Sequence, residues 1–326
     1  MTRPASGDNR SLAIEARGLV KRFDDTLAVD GVDIEVPEGA IYGILGPNGA
    51  GKTTTLRMLL GIIDPDQGVR RIFGNDRPHE VAKLIGYLPE ERGLYPAMKC
   101  DEAIAFMGAL RGLSLAEGRA RGRELLERHG LGHAVDRQIR QLSKGMAQTV
   151  QLLGTLVHRP RLVVFDEPFS GLDAINQGKL EVMIRALADD GTTVIFSTHV
   201  IHHAERLCDD VAIIAGGKVP YAGSVDVARD RIPAQVRLET RSGDGPWRAA
   251  LPDTARHDAK AGGSHFWYFP VPETGIEALL KPLIDGEAGI LSLSIERAGL
   301  HDAFVEIAGE AAARALAEET AAGASR

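Results

Sequence analysis

Short apolar runs recur along the chain between longer stretches of helical period. AIYGIL (40–45), RLVVFD (161–166), TTVIFS (192–197) and VAIIA (211–215) read as strands. The last three are nearly continuous in Val, Ile and Phe, the pattern of strands covered on both faces, and helical stretches separate them as parallel crossovers require. The pattern predicts a mostly parallel α/β sheet. Nearer the start, IEARGLVKRF (14–23) and AVDGVDIEVPEG (28–39) alternate as antiparallel strands do, with PEG as a turn, which predicts an antiparallel β edge layer.

Between about residues 100 and 155 the period becomes helical. EAIAFMGALRGL (102–113) and AEGRARGRELLERHGLG (116–132) space their apolar residues by three and four, with glycines where turns are expected. A helical insertion is predicted there. Around 227–233 the composition shifts. Beyond it lie both tryptophans, Trp247 and Trp267, and a βαβ-like rhythm in QVRLET, SHFWYFPV, GIEALLKPLI and ILSLSIE, followed by an Ala-rich end. The expected division is a main domain over 12–226 with a helical subdomain at about 95–155, a small α+β domain over 227–312, and a helix or tail over 313–326 that frays at the surface.

Composition narrows the function classes. Hydrophobic residues make up 44% of the chain, enough to bury a core without staples. Lys and Arg number 38 against 45 Asp and Glu, a net charge of −7, which argues against affinity drawn from neutralising phosphate backbones, so no nucleic-acid partner is expected. Cys100 and Cys208 are too few for a disulfide framework and read as buried small hydrophobes in a reducing compartment. The polar start MTRPASGDNR carries no secretory pattern, and the charge-free run 191–204 falls short of a membrane span. Any membrane role is expected through a partner.

The strongest chemical signal is GPNGAGKTT at 46–54, which fits G-x-x-x-x-G-K-[ST] and directly follows a strand. Gly46, Gly49 and Gly51 allow the backbone through Pro47, Asn48 and Ala50 to turn its N–H groups toward phosphate oxygens, at the positive end of the next helix. In this reading Lys52 reaches the β and γ phosphates, Thr53 offers a hydroxyl to Mg²⁺ and Thr54 donates to an α phosphate. The second signal is RLVVFDEP (161–168), whose apolar residues deliver Asp166 and Glu167 at a strand's carboxyl end. Asp166 suits Mg²⁺. Glu167, placed on the opposite side by the period of two, suits a general base for water.

LSKGM (142–146), just upstream of that strand, looks like a degenerate LSGGQ signature, and with it the chain resembles the ABC-type ATPases over residues 12 to about 225. The resemblance implies a P-loop NTPase with a RecA-like mixed sheet core and a helical signature subdomain. It implies that Phe23 stacks on adenine, although taken alone the residue reads equally as an edge-strand aromatic packed on the sheet. It also implies that SGLD ending in Asp173 is the D-loop, and that STH ending in His199 carries a switch histidine. Ser143 and Gly145 would cap the ATP of an opposite subunit. Two departures stand out: Lys144 and Met146 within the signature, and Glu90 where a glutamine is expected, a carboxylate that still suits Mg²⁺. The variant looks like a branch of bacterial ABC exporter ATPases, sodium-exporter-like, that carry a small extra C-terminal domain.

The resemblance therefore implies an ATPase using ATP and Mg²⁺, dimerising head to tail with a second copy of itself or a homologous chain. It would drive a separate integral-membrane permease from the cytoplasmic face, in export. Leu94, Tyr95, Pro96 and Met98 offer an apolar docking segment. The competing expectation is a soluble ABC ATPase acting as a mechanical switch, disfavoured because neither a long heptad arm nor a second cassette is present. His199, His202 and His203 offer no three-ligand metal face. The four aromatics of SHFWYFPV are expected in a core strand, since residues 228–326 hold 11 basic and 15 acidic residues.

Overall fold

The computed structural model describes residues 11–91, 93–259 and 264–324, so the readings made on MTRPASGDNR and Arg92 lie outside the described residues. The chain divides into two compact units. One holds the residues up to Ser224 together with those from Ile307 onward, and the other is Val225–Glu306.

The first unit begins with β1 (Leu12–Phe23), β2 (Thr26–Pro37), β3 (Ile41–Leu45), α1 (Lys52–Leu59), β4 (Gln67–Ile72) and β5 (Ile85–Leu88). Three helices follow: α2 (Cys100–Ala109), α3 (Leu115–Arg128) and α4 (Lys144–Leu156). The chain then alternates through β6 (Leu162–Phe165), α5 (Ala174–Asp189), β7 (Thr193–Thr198), α6 (Ile201–Leu207), β8 (Asp210–Ala215) and β9 (Lys218–Ser224).

A six-stranded sheet in the order β5-β6-β7-β3-β8-β9 is parallel except for β9, which pairs antiparallel to β8. Every residue of β3, β6 and β7 is buried, the reason their sequences run apolar without alternation. The alternating N-terminal strands form a separate antiparallel sheet, β2-β1-β4. Its inward residues, including Ile14, Leu19, Val32 and Ile34, share one core with Ile44, Leu56, Ile195 and Ile214. The helical segment has its own core around Cys100, Ile104, Leu126, Val150 and Leu153.

Three strands of this unit escape the periodicity reading. β5 is four residues long and lies inside IGYLPEERGLYP, too short for a period to register. β4 is mostly exposed and carries Arg70 and Arg71. β9 contains Pro220, which an edge strand tolerates because one side of its ladder is open.

The second unit contains α7 (Val225–Arg229), β10 (Gln235–Thr240), β11 (Arg256–Ala259), β12 (His265–Pro270), α8 (Glu277–Asp285), β13 (Ile290–Glu296) and most of α9 (Leu300–Ala308). Its sheet order is β11-β12-β10-β13, with every pairing antiparallel. Because β12 and β13 both oppose β10, they run parallel to each other with β10 between them. The βαβ-like rhythm of the sequence is therefore split rather than contiguous. Within SHFWYFPV, Phe266, Trp267 and Phe269 are buried, and the Trp267 indole N–H donates to Thr240 Oγ1 at 3.0 Å. The last helix, α10 (Glu310–Ala324), starts earlier than the expected tail and belongs to the first unit, with Ala313 and Leu316 buried.

Candidate active site

β3 runs buried to Leu45 and the chain turns at once into GPNGAGK. Two glycines of this loop are required by contact. A Cβ on Gly46 would stand 2.3 Å from the Ile214 carbonyl oxygen, and one on Gly51, whose φ is 105°, would stand 2.5 Å from that of Ala28. Both distances lie far inside van der Waals contact, so only glycine lets the loop nest between β2 and β8. Gly51 is the N-cap of α1, so the helix points its positive end into the loop. The Ala50 carbonyl accepts from Gly217 N–H at 3.0 Å and fixes the rim. Thr54 is half-buried on the first turn of α1.

Lys52 is buried and folded back: its ammonium donates to the carbonyls of Gly46 at 2.8 Å and Pro47 at 3.2 Å, and it pairs with Glu167 Oε1 at 3.1 Å. Glu167 Oε2 accepts from His199 Nδ1 at 2.9 Å. Burial by itself pushes the Glu167 carboxyl up, but the His199 bond and the Lys52 charge outweigh it and hold the group below the ordinary glutamate value. His199 is held above its ordinary value, chiefly by the bond to Glu167, against burial.

The sign of the resulting pH dependence follows. His199 is raised, so its contribution to stability is full below its ordinary 6.5 and is lost as pH rises through the raised value. Glu167 is lowered, so its contribution is present above its ordinary 4.5 and is lost only as pH falls through the lowered value. The gap in melting temperature between the native chain and His199→Gln should be widest near about pH 6 and narrow toward about pH 9. A gap that stays constant over that range would show that the pair carries no charge.

Asp166 and Glu167 reach the site differently from the strand-alternation reading. β6 ends at Phe165, so the period of two no longer applies, and Glu167 adopts φ 47° in the left-handed region. That turn brings its carboxylate toward Lys52 instead of away from the site, a conformation that costs energy for a non-glycine residue. Ser197 is the residue that sequence reasoning passed over. It donates to Asp166 Oδ1 at 2.6 Å and accepts the Glu167 N–H at 2.9 Å, holding both acids from β7. Its only signal was its place two residues before His199 in STH.

Thr53 Oγ1 also donates to Asp166 Oδ1, at 3.1 Å, while the buried Asp166 Oδ2 has no hydrogen-bond partner among the described residues. Glu90, two residues beyond β5, lines a cleft with Asp166, Glu167 and Lys144. Burial first, then the charges of Glu167 and Asp166, push its carboxyl up. A hydroxyl, an orphaned carboxylate oxygen and a second carboxylate in the same cleft form a hard-oxygen set that fits a divalent cation such as Mg²⁺.

The remaining candidates are held by bonds of their own, although Lys144, between Ser143 and Gly145, lines the same cleft as the acids. Ser143 caps α4 and accepts from Met146 N–H at 3.3 Å, and Asp173 caps α5 and accepts from Asn176 N–H at 2.9 Å. Asn176 joins the two: its amide donates to Asp173 at 2.8 Å and lies 3.1 Å from where a Cβ on Gly145 would sit. Phe23, at the end of β1, is 44% exposed, with the Lys21 ammonium 5.7 Å from its ring centroid. The expected docking segment is less exposed than its sequence suggests, because Leu94 and Met98 pack on the helical core while Tyr95 and Pro96 stay exposed. His203 bonds Glu181 at 3.0 Å and stacks on Phe169.

Comparison with known proteins finds relatives over most of the chain. The ABC transporter family model matches residues 29–170. The chain is 32% identical over 292 residues to the ABC transporter ATP-binding protein YhaQ of Bacillus subtilis, spanning 89% of this chain and 97% of that one. It is 33% identical over 303 residues to the Nod factor export ATP-binding protein I of Burkholderia lata, spanning 91% and 97%. A solved ATP-binding subunit of an ABC transporter superposes with a TM-score of 0.62 at 30% identity, covering 67% of this chain and 92% of that one.

Proposed function

Since the chain belongs to the ABC transporter ATP-binding proteins and is the ATP-hydrolysing subunit of such a transporter, we propose that two copies close head to tail on two ATP molecules and drive a separate membrane permease in export. The observation that carries the pairing is the separation of two half-sites. Lys52, Thr53, Asp166, Glu167 and His199 form one bonded cluster, whereas Gly145 and Asp173 meet at Asn176, with Ser143 capping the helix that carries Gly145. The N-terminus of the 13-residue α4, capped by Ser143, offers its N–H groups to an anion such as a γ phosphate. A complete site takes one cluster from each chain.

Within that site, the backbone N–H groups of the Gly46–Thr54 loop other than at Pro47, which has none, take the phosphate oxygens and the Phe23 ring takes the adenine face. Thr53, Asp166 and Glu90 would hold Mg²⁺, which when bound neutralises charge on the β and γ phosphates. The incoming triphosphate competes with Glu167 for Lys52, and taking the ammonium away frees Glu167 Oε1. The freed oxygen accepts a proton from water as the hydroxide attacks the γ phosphorus. The bond from that phosphorus to the bridging oxygen breaks, leaving ADP and phosphate. His199 keeps Oε2 occupied, so the free oxygen is the one facing the water.

Export draws on the Nod factor export relative, which matches this chain through 97% of its own length, the C-terminal region included. Among the described residues no helix is long and apolar enough to cross a membrane. The chain then sits on the inner face of the membrane by docking on the permease, with exposed Tyr95 and Pro96 at the contact. The test is purification of the tagged chain from its host in mild detergent. Recovery of a polytopic membrane protein in stoichiometric amount is the expected result. A pool with soluble partners alone would overturn the docking claim.

A further inference from the structure

α10 comes back to the phosphate loop. Its buried residues Ala313 and Leu316 are 8% and 3% exposed, and helical spacing places Glu319 on that same face, one turn further on. From there both carboxylate oxygens of Glu319 lie 3.0 Å from the N–H of Asn48. On the exposed side of the helix, Arg314 and Glu310 pair with each other at 2.8 Å. The helix is entered through Gly309, whose φ of 83° ends α9 and lets the chain change direction without steric cost.

Asn48 stands inside the loop that the proposed function assigns to triphosphate. A carboxylate offers paired oxygens and negative charge to a backbone N–H, the same features by which a phosphate is recognised there. One N–H at 3.0 Å from both oxygens of Glu319 has no room for a phosphate oxygen as well.

We propose that α10 is an autoinhibitory strap, with Glu319 seated on the Asn48 N–H in place of a phosphate oxygen, so that α10 and ATP exclude each other at the loop. The inference rests on the reading of Gly46–Thr54 as the ATP site. Two consequences follow from linkage. The seated strap lowers apparent ATP affinity by the fraction of time the loop is open, and bound ATP releases the strap by the same factor. Anything that captures the released helix then raises ATP affinity.

The test uses the full chain and ATP titrated by calorimetry with magnesium chelated, so that no turnover intrudes. Glu319→Gln and Glu319→Ala should bind ATP about tenfold more tightly than the native chain, the factor for a strap seated about nine-tenths of the time. Glu318→Gln, on the exposed neighbour, should match the native chain. In the unaltered protein, saturating ATP should speed hydrogen exchange of the amides of residues 310–324. Equal affinities with unchanged exchange would overturn the strap and leave the ATP site standing, and so would weaker binding by the Glu319 variants. A native chain that binds no ATP would remove the site reading and the strap together.

Discussion

Glu167→Gln should bind ATP, accumulate as a dimer and lose turnover by roughly 10²–10⁴-fold, the span that a general base contributes. The amide preserves the volume of a residue that is 7% exposed and keeps an oxygen for His199, so the fold has little reason to change. What it loses is the ability to take a proton from water. It also loses the ion pair with Lys52 at 3.1 Å, which frees the ammonium for phosphate and favours the ATP-bound state. Release of phosphate in a single turnover measures the first effect, and size-exclusion chromatography with ATP measures the second. Hydrolysis at the native rate would remove Glu167 as the base.

Lys52→Ala should weaken ATP binding by on the order of 10- to 100-fold, the equivalent of one charge-assisted hydrogen bond of about 1.5–3 kcal/mol. Lys52 satisfies the carbonyls of Gly46 and Pro47 and pairs with Glu167, so its removal leaves three acceptors, one of them only part-buried, short of a donor. The loop is then expected to loosen as well as lose its cation, and both effects act in the same direction on affinity. Calorimetry returning the native affinity would sink the assignment of the loop.

The two variants separate roles that share one ion pair. Each removes half of the Lys52–Glu167 contact, yet one is expected to bind ATP without turning it over and the other to fail at binding. If both failed in the same way, the pair would be a structural strut. The opposite outcomes require Lys52 to change partners when ATP arrives, which its present bonds to Gly46, Pro47 and Glu167 make possible without moving the helix that carries it.

Several features of this protein were legible in the sequence because their causes are local. The central strands run apolar because both of their faces are covered, and α2 and α3 show their period because one face of each is buried. GPNGAGKT was readable because the contacts that demand Gly46 and Gly51 belong to a loop of fixed spacing after a buried strand. Asp166, Glu167, Ser143 and Asp173 were placed by their neighbours in the chain and by family resemblance, a matter of order along the sequence.

What tertiary structure decided lies where partners are distant or where the backbone leaves its regular period. Edge strands β4 and β9 carry too few buried residues to show a pattern and β5 is too short to show one, so only pairing with their neighbours makes them strands. Glu167 turns toward Lys52 because β6 stops one residue before Asp166 and φ becomes positive, which no alternation rule foresees. Ser197 bridges two acids that lie 31 and 30 residues before it. Glu319 meets Asn48 across 271 positions, and in the sequence it is one acid in an Ala-rich tail. Period and spacing report the forces acting within a turn or a strand; a side chain's partner depends on where the rest of the chain has packed, and that follows from burial summed over the whole core.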